Sequence, residues 1–204
     1  MQYYLKVFVV LVIGFSLLLN SSIIKAQDNI KKPIFSMGIK AGPVISGITM
    51  KNSDIKSGLN YAIILSNEIY MSDSLSLEIG IGNHNTKFSS SGFDYRISYF
   101  TIPILLKYYF TSHTSNYGIW FGIGFEPRYK SFAKNISSFT NVSSATEGGL
   151  LAIGGKYNTS DRVSILFDLR FYIGLSKAIN NDFTNNKGHL REFIFYTGAA
   201  YTIF

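Results

Sequence analysis

The sequence contains no cysteine, four prolines, three histidines, one tryptophan and no apolar run of the length a membrane-crossing helix requires. Without cysteine there is no disulfide framework and no thioether-linked lipid anchor at the N-terminus. His84, His113 and His189 lack the paired spacing of metal sites and read as solvated loop residues. A spanning helix takes about 20 apolar residues, and no helical period or internal repeat stands out. What is abundant is glycine (18) and aromatic side chains (16%), a balance that leans towards strands in a chain of one-domain size, 204 residues.

The N-terminus is a separate matter. Lys6 precedes the apolar run VFVVLVIGFSLLL, Val7 to Leu19, and polar residues lead on to Lys25-Ala26-Gln27. A charged start, a short apolar stretch and a small residue at the cut form the layout of a secretory signal peptide, with cleavage expected after Ala26; an uncleaved anchor is the alternative. Residues 27–33 then form a short periplasmic leader and 34–204 the folded domain. Removing Lys6 and Lys25 lowers the formal charge from +7 to +5. An exported, mildly basic chain points to anionic lipid headgroups or sugar phosphates as partners, and away from nucleic acid.

From Phe35 onward the chain alternates with period two, the mark of strands with two unlike faces. Phe35, Met37, Ile39 and Ala41 share one face; Leu59, Tyr61, Ile63 and Leu65 follow, then Leu75, Leu77, Ile79 and Ile81. A fourth segment sets Phe100, Ile102, Ile104, Leu106, Tyr108 and Phe110 against Thr101, Pro103, Leu105, Lys107 and Tyr109. The fifth has Ile119, Phe121, Ile123, Phe125 and Tyr129, the sixth Leu151, Ile153 and Tyr157, and the seventh every odd position from Val163 to Leu175. The last segment, from Phe193, is apolar on both faces; Phe193, Phe195, Ala199, Tyr201 and Ile203 are assigned as its apolar set. Short polar connections near 72–74, 111–116 and 158–161 alternate with long ones near 51–57, 89–96, 131–146 and 176–191, as in an up-and-down antiparallel meander.

The face opposite the apolar one is glycine, serine and alanine with a few charges. That makes a poor water-facing surface and a good lining for a narrow lumen. Segments of about 9 to 11 residues match tilted bilayer-crossing strands. Tyr108, Phe110 and Tyr157 at the tight-turn ends, with Phe100, Phe125, Tyr129, Phe171 and Phe193 at the loop ends, resemble two interfacial girdles. The expectation is an all-β, eight-stranded, antiparallel up-and-down transmembrane barrel with a lumen filled by side chains. Glu78, Lys107, Glu126, Arg128, Lys156, Asp168 and Arg170 would face inward as a salt-bridged network without a wide pore, because buried charges persist only when paired. Lys107 is expected to meet Glu78 or Glu126, and Pro103 to cause a bulge or a skipped ladder bond.

Three stretches carry a family resemblance. FSMGIKAGPVIS (Phe35 to Ser46), FTIPILLKYYF (Phe100 to Phe110) and the closing YTGAAYTIF (Tyr196 to Phe204) resemble the PorT-like outer-membrane β-barrel family of Bacteroidetes. The resemblance implies an outer-membrane barrel across the mature chain and transfers no functional residue. The founding member is associated with protein secretion; no secretion-specific motif stands in this sequence. A terminal aromatic residue, here Phe204, is the family's expected signal to the barrel-assembly machinery.

Catalytic or cofactor chemistry has little footing. Ser89 to Ser91 beside His84 permit a lipid-hydrolysing pair at the membrane rim, but such serines are ordinary in loops. Glu126 with Arg128 and Asp168 with Arg170 permit an ion path, for which a structural network is the simpler account. Gly122, Gly124, Gly154 and Gly155 precede no helix and give curvature and room, not a dinucleotide fingerprint. No cofactor is expected. Loop cations, Lys51, Lys56, Lys130, Lys134, Lys177 and Arg191 among them, would touch lipopolysaccharide phosphates above the outer interface. The reading is a small, monomeric outer-membrane barrel with a structural or surface-interaction role; a narrow transport or secretion component is the alternative, and a lipid-modifying enzyme a third.

Overall fold

Period-two alternation requires a two-sided sheet, and the computed structural model closes that sheet on itself. It describes residues 35–49, 56–90, 93–111, 115–134, 141–181 and 186–203, with backbone only at a few loop-proximal positions. The strands are β1 (Phe35–Thr49), β2 (Lys56–Tyr70), β3 (Leu75–Ser90), β4 (Phe93–Thr101), β5 (Ile104–Tyr109), β6 (Tyr117–Lys134), β7 (Asn141–Val142), β8 (Ala145–Asn158), β9 (Val163–Gly174), β10 (Ile179–Asn181) and β11 (Asn186–Ile203). All pair antiparallel, and β1 meets β11 from Phe35↔Ile203 to Thr49↔His189, which closes the ring. Because β4 and β5 are one interrupted strand, nine strands form eight staves. The signal segment and leader lie outside the described residues.

The apolar faces point outward: Met37, Ile39, Leu59, Leu65, Phe121, Ile123, Leu151, Ile153, Phe167, Leu169, Phe195 and Tyr201 are all exposed, as are Phe193 and Ala199 of the assigned outward set of the last strand, with Ile203 half-buried. The small and charged face is buried. Water would not tolerate this arrangement, whereas lipid requires it.

Two of the tight turns share a local cause. Ser72 Oγ accepts from the Leu75 amide at 3.1 Å, and Ser160 Oγ from the Val163 amide at 3.1 Å. Both are Ser-Asp-x-apolar sequences, in which the hydroxyl ties down a turn amide.

At Pro103 the ladder skips without inserting a residue. Thr101↔Arg128 and Ile104↔Phe125 hold one register across the gap. Gly80 donates to the Pro103 carbonyl (2.8 Å) and Ile102 to the Pro127 carbonyl (3.1 Å). Neither proline can return the reciprocal bond.

The staves are longer than a bilayer needs, 12 residues in β9 and 18 in β6 and β11. Lys56, Arg96, Lys130, Lys134 and Arg191, placed in loops by the sequence reading, therefore lie in strands. Above the apolar band the outward face turns polar, so hydrophobic contrast fades while backbone pairing continues.

Candidate functional site

The inward face carries two dense assemblies of charge among the described residues. β1 contributes Lys40, β2 Glu68, β3 Glu78, β5 Lys107, and β9 Asp168 and Arg170, because each falls on the lumen phase of its strand. Lys40 Nζ lies 2.7 Å from both Glu78 Oε2 and Asp168 Oδ2. Arg170 Nη2 lies 2.6 Å from Glu78 Oε1 and from Asp168 Oδ2. Lys107 Nζ reaches Glu78 at 2.5 Å and Glu68 at 3.0 Å, and sits 4.4 Å from the Trp120 ring centre. Glu68 also accepts from Ser76 Oγ (2.5 Å) and the Tyr109 hydroxyl (2.7 Å). Three cations thus face three carboxylates across the barrel's width.

A second cluster stands nearer the outer end. Arg128 bonds Glu126 through Nε at 2.7 Å and Glu192 through Nη1, with its guanidinium 3.5 Å over the Tyr172 ring. Glu192 further accepts from Thr86 Oγ1 at 2.7 Å and lies 2.8 Å from His84 Nε2. Above it Val44, Ile48, Phe88, Tyr95, Ile97, Ala178 and Leu190 pack with at most 7% exposure, Phe88 stacking on Tyr95 at 5.2 Å. Strands β7 and β10 extend from β11 over this end, and Ser143 N donates to Ala178 O at 3.0 Å. The outer mouth is therefore packed with apolar side chains.

All seven residues expected in the lumen face it. Lys107 meets Glu78 but not Glu126, which pairs with Arg128 instead. Lys156 stands apart near the tight-turn end, 3.5 Å from the Tyr70 hydroxyl and 5.0 Å and 5.5 Å from the Tyr70 and Tyr109 rings. Sequence reasoning missed Lys40, Glu68, His84 and Glu192. The signal was present: Glu68 continues the Ser66 face of β2, and Glu192 has the parity of Ile194. His84 is a correction, since it is 1% exposed beside Glu192 and not a solvated loop residue. Facing inward, it also cannot form a rim pair with Ser89, which lies on the other face.

Of the expected lipopolysaccharide contacts, Lys134 and Arg191 are exposed, and Lys177 is exposed with an interaction of its own. Lys130 instead donates to the Val142 carbonyl at 2.8 Å. Lys51, the Lys56 side chain, His113 and Phe204 lie outside what is described. Among the described residues no cluster of His, Asp or Glu has the makings of a metal site.

A closed eight-stave ring with lipid-facing aliphatics and a charge-filled lumen is matched by a family model, described as outer membrane protein beta-barrel domain, over residues 13–180. The chain belongs to that family. It is an outer-membrane barrel, and solved structures agree on the fold. OprG from Pseudomonas aeruginosa is 15% identical with a TM-score of 0.60, covering 84% of this chain and 97% of that one. Neisserial surface protein A is 14% identical with a TM-score of 0.59, over 83% and 97%. Ail of Yersinia pestis, solved with the heparin analogue sucrose octasulfate, is 10% identical with a TM-score of 0.50, over 83% and 99%. No curated protein sequence matches the chain.

Proposed function

We propose that this outer-membrane barrel is a non-conducting structural element whose outer end serves surface interaction. The observation that carries the reading is the lumen: apart from Lys156, its charges are spent on one another, and an apolar layer seals the outer end. An ion path would need charged groups strung along an open route, and here each lumen carboxylate is held by a lysine or an arginine. The chain is processed after Ala26, leaving a leader at residues 27–33, and reaches the membrane through the barrel-assembly machinery reading Phe204. It works as a monomer in lipid and lipopolysaccharide. The finer PorT-like kinship rests on motifs that fall on β1, on β4 with β5, and on β11; a secretion role has no residue behind it.

Refolded protein in planar bilayers tests the reading. Heat-modifiable gel migration with no sustained conductance is the expected result. Stable open levels would overturn the sealed lumen, and mobility unchanged by boiling would overturn the barrel.

A further inference from the structure

A row of like charges crosses three staves on the outward face near the loop end. Lys87 of β3 is in direct register with Arg96 of β4, and Arg96 with Lys134 of β6. Directly opposed side chains stand about 4.5–5.5 Å apart at Cβ, and like charges there destabilise a sheet. Arg96 and Lys134 are exposed and make no ion pair among the described residues, while Lys87 has an interaction of its own.

The third cation is there because of a backbone irregularity. The register slips between Ser98 and Tyr99, which oppose Phe132 and Lys130 and leave Ser131 extra on β6. Glu126 and Arg128 face the lumen, so an unbroken β6 would turn residues 130, 132 and 134 inward as well. The bulge instead sends Phe132, 58% exposed, and Lys134 to the outer face. Bulges commonly re-aim side chains in this way.

Phe100 opposes Tyr129 in the outer girdle, and Arg96 lies four residues further along β4. At about 3.3 Å per residue and about 40° of tilt, that puts Arg96 about 10 Å above the girdle, at the headgroup layer and its rim. A flat triad of cations presented sideways to the membrane suits multiply phosphorylated lipid headgroups, with the arginine fork able to bind a phosphate through two N–H groups.

We propose that Lys87, Arg96 and Lys134 form a binding site for the phosphates of an outer-leaflet glycolipid; the proposal rests on the outer-membrane barrel reading. Refolded protein in detergent is titrated with lipopolysaccharide, with its dephosphorylated form and with inorganic phosphate. Wild type binds the phosphorylated form. Arg96→Gln with Lys134→Gln raises the half-saturating concentration by about 30-fold, and dephosphorylation acts likewise. Inorganic phosphate competes poorly, and Arg162→Gln, in a tight turn at the opposite end of the barrel, changes little. Heat-modifiable migration of each variant checks folding and, separately, the barrel reading; if the double variant does not fold, each single change gives about a fivefold loss. Undiminished binding by the folded variants or of the dephosphorylated lipid would overturn the site, and inorganic phosphate matching lipopolysaccharide would overturn the lipid source.

Discussion

Lys40 shows what a buried charge is worth in this lumen. It is 1% exposed and holds Glu78 and Asp168 at 2.7 Å each. Lys40→Ala leaves both acids short of a cation, and the expected loss is about 3–5 kcal/mol. Pairing Lys40→Met with Asp168→Leu should cost less than the two changes summed, since each removes a charge that the other had left uncompensated. Urea unfolding of refolded protein, followed by gel mobility, checks both. Glycines divide by what surrounds them. A Cβ at Gly42 would sit 1.8 Å from the Phe195 carbonyl oxygen across the closing seam, whereas one at Gly149 meets nothing within 4 Å. Gly42→Ala should therefore destabilise by about 1–3 kcal/mol and Gly149→Ala by under about 0.5 kcal/mol, in the same unfolding measurement.

Among the elements, the interrupted stave formed by β4 and β5 carries the sharpest prediction. Pro103 and Pro127 each withhold one ladder bond, from the carbonyls of Gly80 and Ile102, while the register runs on unshifted. In Pro103→Ala the new amide can donate to Gly80, and it should be protected from hydrogen exchange as strongly as its strand neighbours. Rapid exchange at that amide would show that the gap is held open by something other than the missing donor. The alternation of SYFTIPILLKYYF already placed Lys107 inward and its even-numbered neighbours outward. The choice between bulge and skipped bond required the partners on both sides.

For the whole molecule, the charge pairs lie where water and salt scarcely reach. Surface pairs are screened over about 10 Å at 0.1 M salt and about 3 Å at 1 M, but the lumen pairs are closed off by the wall and the apolar layer above them. The unfolding midpoint in urea should thus move little between low and high salt. A steep fall would mean that solvent enters the lumen and would argue against the sealed reading. Lipopolysaccharide binding through the rim cations should weaken with salt over the same range, since Arg96 and Lys134 are exposed, so the lumen and the rim of one molecule are expected to answer salt differently.

Facing is a local property: side chains alternate across a strand whatever its neighbours are, so the apolar wall, the inward phase of Lys107, Asp168 and Arg170 and the stave count could be read from residue order. Partnership is not local. That Lys40 would bridge Glu78 and Asp168, that Glu126 would take Arg128 instead of Lys107, and that His84 and Glu192 would meet inside depend on which staves oppose one another across the ring and how far each runs above the membrane. The row of Lys87, Arg96 and Lys134 lay beyond the sequence for the same reason, since one extra residue at Ser131 reverses the facing of Lys134, and only the paired backbone reveals it.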